Sequence, residues 1–111
     1  MATKLTDPDF AIQLCATLRE SYPRTMFHIY SLINLYGQKR ATEALTTAKR
    51  LYGQGEMTKD GKRRTLGGCW FIQYTWAEKN AAFAHRQEMR EVMALSKGEV
   101  PAGLFNLEVS F

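Results

Sequence analysis

The residues best suited to chemistry form one run, Asp60-Gly61-Lys62-Arg63-Arg64-Thr65-Leu66-Gly67-Gly68. Three consecutive cations can pair with phosphates, and each arginine can do so through two parallel hydrogen bonds. Thr65 is placed to cap a following helix, and the free N–H groups at a helix start attract anions. Gly67 and Gly68 carry no side chains, so a phosphate or a base can approach the backbone closely. Trp70, Phe71, Tyr74 and Trp76 follow at once. This is the chemistry of non-covalent phosphate recognition. Each device also has a plainer reading: the basic run as a solvated face, the glycine pair as a turn, and the aromatic residues at helical spacing as core.

Charge is distributed unevenly. Residues 38 to 64 hold eight cations (Lys39, Arg40, Lys49, Arg50, Lys59, Lys62, Arg63 and Arg64) against three anions (Glu43, Glu56 and Asp60), while the rest of the chain holds seven cations against eight anions. Clustered positive charge is the electrostatic footprint of a partner rich in phosphate. Lys39, Arg40, Lys49 and Arg50 extend the track if they share the face of the basic run. Tyr36, Tyr52 and Trp76 are candidates to stack on bases, a sequence-tolerant contact worth roughly 1–3 kcal/mol per base. Tyr52 has the best claim, because it ends a basic turn beside the run, and it is equally suited to the core. His28 reads as a helix-face residue.

Catalytic arrangements find little support. Gly61-Lys62 is not a phosphate-binding P-loop, since Glu56 stands six residues before Lys62 where glycine is needed, and Arg63 follows where Ser or Thr is needed. There is no nucleophile elbow. Glu43, Glu56 and Asp60 lack the spacing of a metal-binding nuclease cluster. Cys15, Cys69, His28 and His85 form neither a CxxC nor an HxxxH pair, so no metal site or cofactor is expected. The two thiols read as reduced and buried, in a cytoplasmic protein. Met1 to Phe10 has no apolar run and is not read as a signal peptide, and no apolar stretch is long enough to span a membrane.

The elements that must position the basic run follow from its surroundings. The chain has 111 residues, 45% hydrophobic and 23% charged, with a formal charge of +4 and a pI near 9.2, which fits one folded domain over residues 1–111. Thr6-Asp7-Pro8-Asp9 starts a first helix, with Phe10, Leu14 and Leu18 on one face. Tyr22-Pro23 breaks it. A second helix is expected from about Pro23 to Tyr36, stopped by Gly37, and a third from about Lys39 to Tyr52, stopped by Gly53. Residues 53–65 read as a hairpin-like loop around a two-residue Asp60-Gly61 turn. A fourth helix starts near Leu66-Gly67 and carries Trp70, Phe71, Tyr74 and Ala77. It is interrupted at Asn80 or runs on to Leu95, where Lys97-Gly98 stops it. Glu99 to Phe111 forms a tail that packs on the bundle or frays. The fold expected is mainly α, a compact bundle of four to five short helices with one hairpin-like basic loop.

A helix ending in Leu-Tyr-Gly, a glycine-containing loop, and then Lys62-Arg63-Arg64-Thr65-Leu66-Gly67-Gly68-x-Trp-Phe resembles the RNA-binding domain of PHAX, the phosphorylated adaptor for export of small nuclear RNA. Ile33, Tyr36, Gly37, Ala41, Ala44 and Leu45 resemble the same family's upstream pattern, and the likeness covers about residues 23–76. Leu66 stands where the family usually has proline. The resemblance implies a compact helical domain that binds single-stranded RNA with little sequence preference, and it implies a binding role for Lys62, Arg63, Arg64, Thr65, Gly67 and Gly68. It does not extend to nuclear export, since no long acidic flanks or transport signals accompany it. A free-standing version of the domain, with a bacterial source as one option, is expected.

The expected function is therefore single-stranded RNA binding, without catalysis. The competing expectation is a protein-interaction or structural domain with a solvated basic loop. Nothing in the sequence reads a 2′-hydroxyl, so DNA stays open as a partner, as do self-association and protein partners.

Overall fold

A computed structural model describes residues 5 to 96, with side chains described as far as Val92. It contains five helices: α1 (Pro8–Leu18), α2 (Pro23–Tyr36), α3 (Gln38–Gly53), α4 (Leu66–Phe71) and α5 (Trp76–Ser96). The protein is a small helical bundle. The tail at 99–111 lies outside the described residues. No described helix is long and apolar enough to cross a membrane.

Local signals set most of the boundaries. The Asp7 carboxylate caps α1 by accepting from the Asp9 N–H at 3.0 Å, with Pro8 in the first turn. α1 leaves through Arg19, a left-handed residue at φ 60°, and the Glu20 N–H donates back to the Cys15 carbonyl at 2.9 Å. Pro23 opens α2. Gly37, at φ 95°, ends α2 and begins α3 within one residue, a conformation that a side chain would strain.

α2 is the central element. Phe27, Ile29, Tyr30, Leu32 and Ile33 are fully buried between α1, α3 and α5, so it is apolar nearly all round. The Ser31 hydroxyl, buried on the α5 side, donates to the Ala82 carbonyl at 2.6 Å. α3 presents a stripe of small residues, Ala41, Ala44 and Ala48. That stripe lets α4 come close: the Trp70 ring is fully buried and its indole N–H donates to the Ala41 carbonyl at 3.1 Å. Gln73 Nε2 donates to the Ala44 carbonyl at 2.7 Å. Trp70 and Tyr74 are thus core residues, as their helical spacing allows. Cys15 and Cys69 are free and buried, and burial pushes the Cys15 thiol up to about 12 and raises that of Cys69.

Two local expectations are corrected. The basic loop is hairpin-like, but its turn is longer than the two-residue turn expected. Gly61 N–H donates to Thr58 O at 3.0 Å and Thr58 N–H to Lys62 O at 2.7 Å, which encloses Lys59, Asp60 and Gly61, with Gly61 at φ 81°. One antiparallel bridge, Met57–Arg63, forms the ladder. The helix runs on through Asn80, the second of the two courses expected, and a break that was not expected falls at residues 72–75. The cause is a reciprocal cap: Glu78 N–H donates to Thr75 Oγ1 at 3.1 Å, and Thr75 N–H donates to the Glu78 carboxylate at 2.8 Å.

Candidate nucleic-acid interface

The basic run leaves the hairpin and enters α4. Arg64 N–H donates to Glu56 O at 2.8 Å, which ties the return arm to the outgoing arm just beyond α3. Successive side chains of an extended arm point to opposite sides, so Lys62, Arg63 and Arg64 separate. Lys62 is exposed. The Arg63 guanidinium sits 4.2 Å from the centroid of the Tyr52 ring and donates to the Tyr52 carbonyl at 2.8 Å. Arg64 is half-buried, with its stem across the start of α4 against Gly68. The Thr65 hydroxyl oxygen caps α4, accepting from Gly68 N–H at 3.0 Å.

The glycines meet the protein's own side chains. A Cβ on Gly67 would collide with the Glu20 carboxylate, which the Arg19 turn brings over the start of α4. A Cβ on Gly68 would lie 2.8 Å from Arg64 Cγ and 3.2 Å from Thr65 Oγ1. The space over Gly67 that was expected to admit a phosphate thus holds a carboxylate, whose pKa is raised by burial.

A groove of about 520 Å³ opens beside this contact, lined chiefly by Arg19, Glu20, Lys49, Tyr52, Thr65 and Leu66. It brings Lys49, Tyr52 and Thr65 together, with Arg63 over the Tyr52 ring. Arg19 and Glu20 were not singled out from the sequence. Only the left-handed exit from α1 places them there, and no spacing rule marks an arginine for that turn.

The remaining cations diverge around α3. At about 100° per residue, the nine residues from Arg40 to Lys49 put those two side chains on opposite flanks of the helix. Arg40 faces α5: its guanidinium binds the Glu78 carboxylate through two nitrogens, Nη2 to Oε1 at 2.7 Å, and lies 4.5 Å from the Tyr74 ring centroid and 5.4 Å from that of Tyr36. The pairing holds the Glu78 carboxyl down at about 2 and raises the pKa of Arg40. Lys39 and Arg50 are exposed. They lie near opposite ends of α3, about 16 Å apart along its axis at 1.5 Å per residue. The eight cations of residues 38–64 therefore do not form one track. No group of three or more His, Cys, Asp or Glu side chains that could hold a metal occurs among the described residues. No family model, curated protein or solved structure matches the chain.

Proposed function

We propose that this protein binds single-stranded RNA with little sequence preference, along the groove between the end of α1, the end of α3 and the start of α4. The observation that carries the reading is the exposed Arg63 guanidinium held over the half-buried Tyr52 ring, which itself lines a groove together with Lys49 and Arg19. Single-strand binding combines a cationic groove for the backbone with flat groups on which bases stack. A guanidinium plane serves both ends, since it pairs with phosphate at its edge and stacks on bases with its face. Arg63 is already ordered by the Tyr52 ring and carbonyl, so less side-chain entropy is lost on binding.

The resemblance of the segment from Lys62 to Gly68 to the PHAX RNA-binding domain supports the same reading. The glycines take a different place in it. Glu20 fills the space over Gly67, so the strand runs beside the start of α4, on Arg63, Lys49 and Arg19, with Lys62 on the open side. Arg40 stays with Glu78 and takes no part.

Fluorescence polarisation of a labelled single-stranded RNA of mixed sequence, titrated at several salt concentrations, tests this. Each phosphate contact contributes about 0.7 to the slope of log affinity against log salt for single strands. The double substitution Lys49→Ala/Arg63→Ala is expected to weaken binding about tenfold or more and to lower the slope by about 1.4, with the fold intact. Absence of binding at low salt, or a double variant that binds like wild type, sinks the proposal. A partner held by apolar contacts responds little to salt, which separates the protein-interaction reading.

A further inference from the structure

One acid stands in the basic groove. Among the residues that line it, Arg19 and Lys49 are cationic and Glu20 alone is anionic. Like charges repel, so a carboxylate on the path of a phosphate strand opposes binding unless it meets a donor. Packing over Gly67 does not account for the charge, because a neutral side chain of the same length would cover the glycine equally. An internal partner does not account for it either. Among the described residues no hydrogen bond or ion pair reaches the Glu20 carboxylate, and the exposed Arg19 and Lys49 side chains do not pair with it.

The acid is nevertheless held in place. The Glu20 N–H donates to the Cys15 carbonyl at 2.9 Å, which fixes its backbone after the left-handed turn at Arg19. Its side chain is half-buried, with the stem and one oxygen, Oε2, against Gly67. Around it the groove offers the half-buried Tyr52 ring and the Leu66 side chain as apolar surface. At about 520 Å³ the space falls within the range of pockets that hold small ligands, about 300–1,000 Å³. A flat ring, an anchored pair of acceptor oxygens and flanking cations are the parts of a site for one nucleotide.

We propose that this groove reads one base of the strand and prefers guanine there: the base lies against Tyr52, the Glu20 carboxylate accepts from its N1–H and 2-amino group, and Lys49 and Arg19 hold the neighbouring phosphates. The choice follows from the Watson–Crick edges of the four bases. An ionised carboxylate only accepts, and guanine alone presents two adjacent donors on that edge. Adenine and cytosine set a ring-nitrogen lone pair beside their single amino group, and uracil flanks its one N–H with carbonyl oxygens. Each of these puts an acceptor against a carboxylate oxygen. The inference rests on the RNA-binding reading above and deepens it, since the strand is gripped without regard to sequence except at this position.

The test uses the whole chain at about pH 8, to keep the carboxyl ionised. The ligands are uridine strands of about eight nucleotides, within the usual range of single-strand sites, carrying one central guanosine, inosine, adenosine or cytidine. Wild type is expected to bind the guanosine strand about fivefold to a hundredfold more tightly than the adenosine, cytidine and all-uridine strands. Inosine, which lacks the 2-amino group, should fall between them, a comparison that needs no change to the protein. Glu20→Gln keeps the length over Gly67 but presents one acceptor and one donor, so it is expected to turn the preference towards adenosine and cytidine. If Glu20 only covers α4, removing its charge strengthens binding of all strands alike and the guanine site is overturned. Equal binding of all strands by wild type, or inosine bound as tightly as guanosine, overturns it too. RNA binding itself then stands if the strands still bind in a salt-sensitive way that Lys49→Ala/Arg63→Ala weakens. If wild type binds no strand, both readings fall.

Discussion

Gly67 and Gly68 stand side by side and are kept free of side chains by different neighbours. At Gly67 the neighbour is the Glu20 side chain, and at Gly68 it is the Arg64 stem and the Thr65 cap. In a helix, alanine in place of glycine gains up to about 1 kcal/mol. Gly67→Ala is expected to realise little of this, because its Cβ must displace Glu20. In a Glu20→Ala background the same substitution should stabilise by close to about 1 kcal/mol. Urea denaturation of the four proteins measures the coupling, and equal effects in both backgrounds would show that Glu20 does not hold the position. The pair of glycines was visible in the sequence. Its cause was not, because Glu20 and Gly67 are 47 residues apart in the numbering and meet only through the turn at Arg19.

At the scale of elements, α2 and α3 have bounds close to those expected, since Pro23, Gly37 and Gly53 act on their own residues. The helix runs on through Asn80, one of the two courses the sequence left open, but the break at 72–75 was not foreseen, although Thr75-Trp76-Ala77-Glu78 carries the Thr-x-x-Glu signature of a reciprocal cap. The spacing of Trp70, Phe71, Tyr74 and Ala77 suggested one continuous helix and masked it. Glu78 does two things, capping α5 and binding Arg40 on α3. Its carboxyl is held at about 2 instead of the ordinary 4.5, by Arg40 first and the Thr75 backbone second. A carboxylate with a lowered folded pKa stabilises fully above its unfolded value and loses that contribution as pH falls from about 4.5 towards 2. Glu78→Gln is expected to cost about 1 kcal/mol at neutral pH, and its stability should decline less than that of wild type over this acid range. Chemical denaturation at several pH values checks this, and parallel acid profiles would refute it.

Across the whole molecule, two arginines of the same basic segment are assigned opposite tasks. Arg40 joins α3 to α5 through Glu78, Tyr36 and Tyr74, whereas Arg63 stays exposed beside the groove. Arg40→Gln is therefore expected to lower stability by about 1 kcal/mol and leave the salt slope of RNA binding unchanged, while Arg63→Gln leaves stability nearly unchanged and lowers the slope by about 0.7. Thermal melts and salt titrations of both variants, made together, decide the assignment, and a reduced slope for Arg40→Gln would contradict it. By itself the sequence determined the helical class, the capping and breaking residues, and the local excess of positive charge, because each is a property of neighbouring residues. Only the tertiary structure decided which cations share a surface and what fills the space over the glycines. The turn of α3 sends Arg40 and Lys49 to opposite flanks, and the left-handed exit at Arg19 carries an acidic side chain to the start of α4, so both outcomes depend on how distant segments pack.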